Sequence, residues 1–162
     1  MKNFSSKLSA SQQAERLLPP QRRVKAVLDT DAYNEIDDQF AILYAMLSPE
    51  KIDLQAIYAA LFYNGRSSSP ADGMEKSYQE ILKICGLTGR DPEGFVSRGC
   101  RAPLEGPELP QESEAVNDLI RKARQASPDD PLYVIGIGAC TNIASAILKC
   151  PEIIENLVVV WL

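Results

Sequence analysis

Five carboxylates, Asp29, Asp31, Glu35, Asp37 and Asp38, fall within ten residues, and no Lys or Arg occurs between Lys25 and Lys51 to balance them. Carboxylates crowded this closely repel one another, and burial raises their pKa values unless a cation is present. Oxygen ligands with no His or Cys beside them suit a hard cation, calcium or magnesium, rather than zinc. The same residues also have a structural use. Asp37 and Asp38 favour a helix N-terminus through capping and the macrodipole, and Glu35 can face water. That use accounts for the second cluster but not for Asp29 and Asp31 directly after a hydrophobic run, so a metal site is the stronger interpretation.

The flanking residues say what must hold these acids. Val24, Ala26, Val27 and Leu28 form an apolar run that reads as a buried strand over 24–28. Ile36, Phe40, Leu43, Tyr44 and Leu47 then recur at helical spacing, predicting a helix over 37–47 that Ser48-Pro49 closes. The acids therefore lie where a strand ends and a helix begins, the crevice in which open α/β sheets bind ligands. Further strands are predicted over 54–60, 94–97, 131–137 and 156–162, the last of buried type. Helices are predicted over 71–84, 113–125 and from about 141 through 148. Met74, Tyr78, Ile81, Leu82 and Cys85 form the stripe of the first, with Gly86 as its cap. Ala115, Val116, Leu119, Ile120 and Ala123 form the inward face of the second, and Thr141 or Asn142 is expected to cap the third. Alternating strands and helices over 23–162 predict one α/β domain with a doubly wound, mostly parallel sheet. Residues 1–22 read as a polar N-terminal extension with a short helix at 10–17, stopped by Pro19-Pro20.

Composition narrows the chemistry. The 162 residues, 45% hydrophobic, are enough for one domain with a core. A net charge of −5 with no basic cluster argues against nucleic-acid binding as the main role. The four cysteines lack C-x-x-C spacing and read as reduced core thiols. Residues 1–22 have no signal-peptide core, and no apolar run approaches membrane-spanning length, so the expected location is cytoplasmic. There is no histidine, which excludes Ser-His and Cys-His nucleophilic catalysis within this chain and leaves carboxylates as the main candidates for acid or base.

The strand followed by Asp29-Thr30-Asp31, Asp37-Asp38 and Ala41 resembles the N-terminal signature of the inosine/uridine-preferring nucleoside hydrolases, whose usual pattern is Asp-x-Asp-Pro-Gly-x-Asp-Asp-x-x-Ala. Here five residues, 32–36, separate Asp31 from Asp37 where the pattern has three, and the Pro-Gly pair is absent. A second match is the strand running into Gly138-Ala139-Cys140-Thr141-Asn142-Ile143-Ala144, which resembles the family's Gly-x-x-Thr-Asn-hydrophobic-Ala. Arg98-Gly99-Cys100-Arg101-Ala102-Pro103-Leu104 resembles, more weakly, the family's short strand and Pro-Leu loop.

The resemblance implies a Rossmann-like nucleoside hydrolase fold and calcium-dependent hydrolysis of the N-glycosidic bond of ribonucleosides. It implies calcium on Asp31, Asp38 and the Thr141 carbonyl, with Asp31 also as general base. Asp37 and Asn64 would hold the ribose, and Asp29 would orient a ligand or the loop. On composition alone, Asn64-Gly65 is simply a turn pair, and Thr141 a helix cap. Because typical members continue past the strand at 156–162 into a second half with a further acidic ligand, a truncated chain is expected, with doubtful activity on its own. An exposed sheet edge after Leu162 would leave self-association open.

Two rivals stand beside this. Haloacid dehalogenase-like phosphatases also begin with a strand and Asp-x-Asp, but need a Thr where Tyr33 stands and give Asp37-Asp38 no role. A non-catalytic calcium-binding remnant is the other. An EF-hand is excluded, since counting from Asp29 the sixth position is Asn34, not Gly, and the twelfth is Phe40, not Glu.

Overall fold

A computed structural model describes residues 6–162, so the first five residues of the expected extension lie outside the described residues. Five strands, β1 (Val24–Thr30), β2 (Ile52–Ala59), β3 (Val96–Arg98), β4 (Leu132–Gly136) and β5 (Leu157–Trp161), pair in the order β3-β2-β1-β4-β5. Every pairing is parallel. Helices α1 (Ala10–Arg16), α2 (Ile36–Met46), α3 (Pro70–Thr88), α4 (Glu114–Gln125) and α5 (Thr141–Lys149) complete it, with a short 3-10 helix at Pro151–Asn156. The chain winds outward from β1 through β2 to β3, then crosses back to β4 and β5. Right-handed crossovers accordingly put α2 and α3 on one face and α4 and α5 on the other, and each pair packs together. The order reverses between β1 and β4, so the crevice at their carboxyl ends is the topological switch point.

Central strands buried on both faces read as continuous apolar runs. Ala26, Val27 and Leu28 of β1, Ala56, Ile57 and Tyr58 of β2, and Val134 of β4 are at most 2% exposed. All five residues expected on the inner face of α4 are buried, and Ser113 caps that helix through the Val116 N–H. Of the α3 stripe, Met74, Ile81 and Cys85 are buried, and Tyr78 and Leu82 pack partly buried against the core. The four cysteines are free thiols. No described helix is long and apolar enough to cross a membrane.

Several elements depart from expectation for physical reasons. Strand β1 runs two residues further, through Asp29 and Thr30, because β2 pairs with both and β4 with Asp29. Helix α3 continues past Gly86 and ends at Gly89, whose φ of 68° supplies the left-handed cap. Strand β5 is not buried: it pairs only with β4 and leaves Val159, Val160 and Trp161 42–59% exposed. Neither Thr141 nor Asn142 caps α5, where Cys140 holds the cap position without a side-chain bond. In α2 the stripe Ile36, Phe40, Tyr44 and Leu47 faces out, while Asp38, Ile42 and Ala45 face in. A hydrogen bond from Thr30 to Asp38 fixes that rotation.

A further polar cluster joins β2 to α4. Tyr58 Oη donates to Asp118 Oδ2 at 2.8 Å, and Lys122 Nζ, only 8% exposed, reaches the same oxygen at 2.7 Å. Burial pulls the Asp118 carboxyl up, but the bonds from Lys122, Tyr58 and Arg121 outweigh it and hold it below the ordinary value. The folded state then binds fewer protons at Asp118 than the unfolded chain, so this stability is present above the unfolded pKa and lost as pH falls through the folded one. Urea midpoints of wild type and Asp118→Asn should therefore differ most near neutrality and converge below about pH 4. A gap independent of pH would contradict the assignment.

Candidate functional site

Side chains alternate across a strand, so Thr30 reaches α2 on one face while Asp29 reaches α5 on the other. Thr30 Oγ1 donates to Asp38 Oδ1 at 2.5 Å, holding the buried Asp38 at the first turn of α2 beside the end of β1. Asp29 is 1% exposed. Its Oδ1 accepts from Asn142 Nδ2 at 3.3 Å, while its Oδ2 is buried with no hydrogen-bond partner. Asp31, 7% exposed, accepts on Oδ2 from Asn34 Nδ2 at 3.0 Å. Its Oδ1 lies against Gly138, the turn after β4, where a methyl group would stand 2.9 Å from it. Only glycine admits the carboxylate so close to the β4 end.

These carboxylates feel one another. Burial pushes Asp29 up to about 8, the Asn142 bond opposes this, and the charge of Asp31 adds to it. Burial likewise raises Asp38 to about 6, against the bond from Thr30, and Asp31 raises it further. Asp31 is raised by burial, with Asn34 opposing and Glu35 and Asp37 adding repulsion. Asp37 and Glu35 themselves are exposed at the rim.

Of the residues predicted from sequence, Asp29, Asp31 and Asp38 come together at the end of β1, with Asp37 beside them. Thr141, half-buried, opens α5 after the turn that follows β4, the neighbour of β1. Asn64 is exposed and joins the acids through one intermediary, donating from Nδ2 to Asn34 Oδ1 at 2.6 Å. Among the described residues, no three His, Cys, Asp or Glu side chains gather closely enough to hold a metal by themselves. A cation here would need main-chain oxygen and water besides Asp31 and Asp38. The donors fit such an ion: all are oxygens, and burial and mutual repulsion disfavour their bare charge.

Sequence reasoning missed Asn142 as a site-building residue. Its Oδ1 accepts from Cys100 N at 2.7 Å, and its Nδ2 donates to Asp29 and, at 3.3 Å, to the Ala59 carbonyl. One side chain thus ties the ends of β1 and β2 to the loop after β3. Only the Thr-Asn pair opening a helix hinted at it. Asn34 was also missed, being part of the lengthened loop. Volume does not point to this place: a cavity of about 500 Å3, lined by Arg16, Pro20, Pro128 and Tyr133, lies at the opposite rim of the sheet.

The sequence profile described as inosine-uridine preferring nucleoside hydrolase matches residues 26–162, which includes every one of these positions. The chain belongs to that family. Solved structures agree with the fold. A purine-preferring ribonucleoside hydrolase from Gardnerella vaginalis is 26% identical with a TM-score of 0.64, over 85% of this chain and 48% of that one. An inosine-guanosine nucleoside hydrolase shares the fold at 21% identity and a TM-score of 0.61, over 85% and 47%. A nucleoside hydrolase-related protein from Saccharophagus degradans does so at 16% and 0.60, over 86% and 38%. No curated protein matches the chain. The chain thus spans about half the length, or less, of these structures of nucleoside hydrolases and a relative.

Proposed function

We propose that this site hydrolyses the N-glycosidic bond of ribonucleosides, giving ribose and free base, with calcium held by Asp31, Asp38 and the Thr141 carbonyl. The observation that carries this is the convergence of Asp31 and Asp38 at the end of β1, opposite the Gly138–Thr141 turn, at the switch point of the sheet. When bound, the cation supplies positive charge that relieves repulsion among the acids and eases deprotonation of water. Asp31 takes the proton of the attacking water as general base. As the glycosidic bond breaks, the sugar gains oxocarbenium character, and the surrounding carboxylates stabilise the developing charge. The exposed Asp37 and Asn64 hold ribose hydroxyls at the rim, and Asp29 steadies the end of β1 from beneath.

That the Gardnerella vaginalis relative is a purine-preferring ribonucleoside hydrolase supports this substrate class. The four free thiols are in keeping with a cytoplasmic setting, and residues 23–162 are proposed as the hydrolase-like domain behind an N-terminal extension.

Reducing-sugar and free-base release from inosine and uridine tests the proposal. Asp31→Asn should lower kcat by at least about 100-fold with little change in KM, and removing calcium with a chelator should stop turnover reversibly. Release of phosphate from an aryl phosphate, without base release from either nucleoside, would favour the phosphatase chemistry instead.

A further inference from the structure

The lengthened loop at 32–36 centres on Asn34, which makes four hydrogen bonds. Its Nδ2 donates to Asp31 Oδ2 at 3.0 Å, and its Oδ1 accepts from Asn64 Nδ2 at 2.6 Å. Its main-chain N–H donates to the Asp31 carbonyl at 2.7 Å, and its own carbonyl accepts from Arg66 Nη1 at 2.8 Å. Beside it, Tyr33 stacks on Phe62 with ring centroids 6.5 Å apart and planes 18° from parallel. The loop after β1 is thus fastened to the loop after β2 at both residues.

We infer that Asn34 is a positioning residue that fixes Asp31 and Asn64 relative to one another through a single carboxamide. This rests on the nucleoside hydrolase reading of the site. The chemistry selects Asn: one end must donate to a carboxylate and the other accept from an amide. Asp would put another negative charge against Asp31, Ala would supply neither bond, and Gln would need the loop to retreat by a methylene. The bond to Oδ2 turns Oδ1 of Asp31 toward Gly138 and fixes the plane of the carboxylate. Asn64 is oriented from both ends, because the Arg66 N–H donates to its Oδ1 at 2.9 Å, and one of its N–H groups remains for the sugar. The general base and the ribose-side amide, 33 residues apart in sequence, are therefore held as one unit.

The test is a double-mutant cycle on the full chain with calcium: wild type, Asn34→Ala, Asn64→Ala and the double variant, assayed for ribose release from inosine. Asn34→Ala should lower kcat/KM by roughly 30- to 100-fold, the scale of a small misplacement of reacting groups. Part of that loss should be in kcat, with the thermal midpoint nearly unchanged. In the Asn64→Ala background the same change should cost clearly less, because part of its effect passes through Asn64. A loss under threefold, or full additivity, overturns the inference. If the wild-type chain releases no ribose, the hydrolase reading fails on its own, and the Asn64 side-chain amide resonance decides the matter. Asn34→Ala should shift that signal, and an unmoved signal overturns the inference.

Discussion

Replacing Asn142 with leucine is expected to cost about 4 kcal/mol, a large share of the 5–15 kcal/mol that typically separates folded from unfolded chains. The side chain is 1% exposed and its volume is nearly matched by leucine, so loss of packing is not the cause. Three buried groups lose a partner at once: the Cys100 N–H, the Ala59 carbonyl and Asp29 Oδ1. Each orphaned buried group costs about 1–3 kcal/mol. Asp29 suffers most, since its Oδ2 already lacks a partner. Urea unfolding checks this through the shift in midpoint at constant slope. A cost under about 1 kcal/mol would mean that Asn142 is incidental to the junction.

The second large effect is expected at Gly99, in the loop after β3. A methyl group there would lie 2.0 Å from the Ala59 carbonyl oxygen and 2.5 Å from Asn142 Nδ2. Neither can yield easily, one being main chain at the end of β2 and the other a buried side chain bonded on both sides. Gly99→Ala should cost at least about 3 kcal/mol, the upper part of the overpacking range, and should loosen Asp29 through the displaced Asn142. Gly65→Ala is the matched control. Nothing lies within 4 Å of its added methyl, so its effect should stay within about 0.5 kcal/mol. Equal midpoints for the two variants would contradict the tight junction.

What was legible in the sequence, and what was not, divides along the range of the interactions. Helix α4 was legible because its apolar residues repeat at helical period and Ser113 marks its start. The end of β1 was legible because an apolar run gives way abruptly to Asp29 and Asp31. The orientation of α2 was not, because apolar residues fall on two sides of it. The choice was made by a tertiary contact, Thr30 to Asp38, that turns the acid inward. Strand β5 is as apolar as a central strand, and periodicity cannot say how many neighbours a strand has. Asn34 and Asn142 were hidden for a related reason. Their decisive partners are remote, Asn64 lying 30 residues from Asn34 and Asp29 lying 113 from Asn142.

Calcium titration by isothermal calorimetry tests most directly whether the end of β1 is the working site, because it needs no turnover from a chain spanning half the length of its relatives. One calcium per chain is predicted, bound at least about tenfold more weakly by Asp31→Asn and by Asp38→Asn, each a loss of about 1.4 kcal/mol or more. Asp53→Asn, at the far end of β2 and paired with Arg23, should leave the affinity unchanged. Equal affinity in all four proteins, or no binding in any, would contradict the assignment of Asp31 and Asp38 to a metal-dependent hydrolytic site.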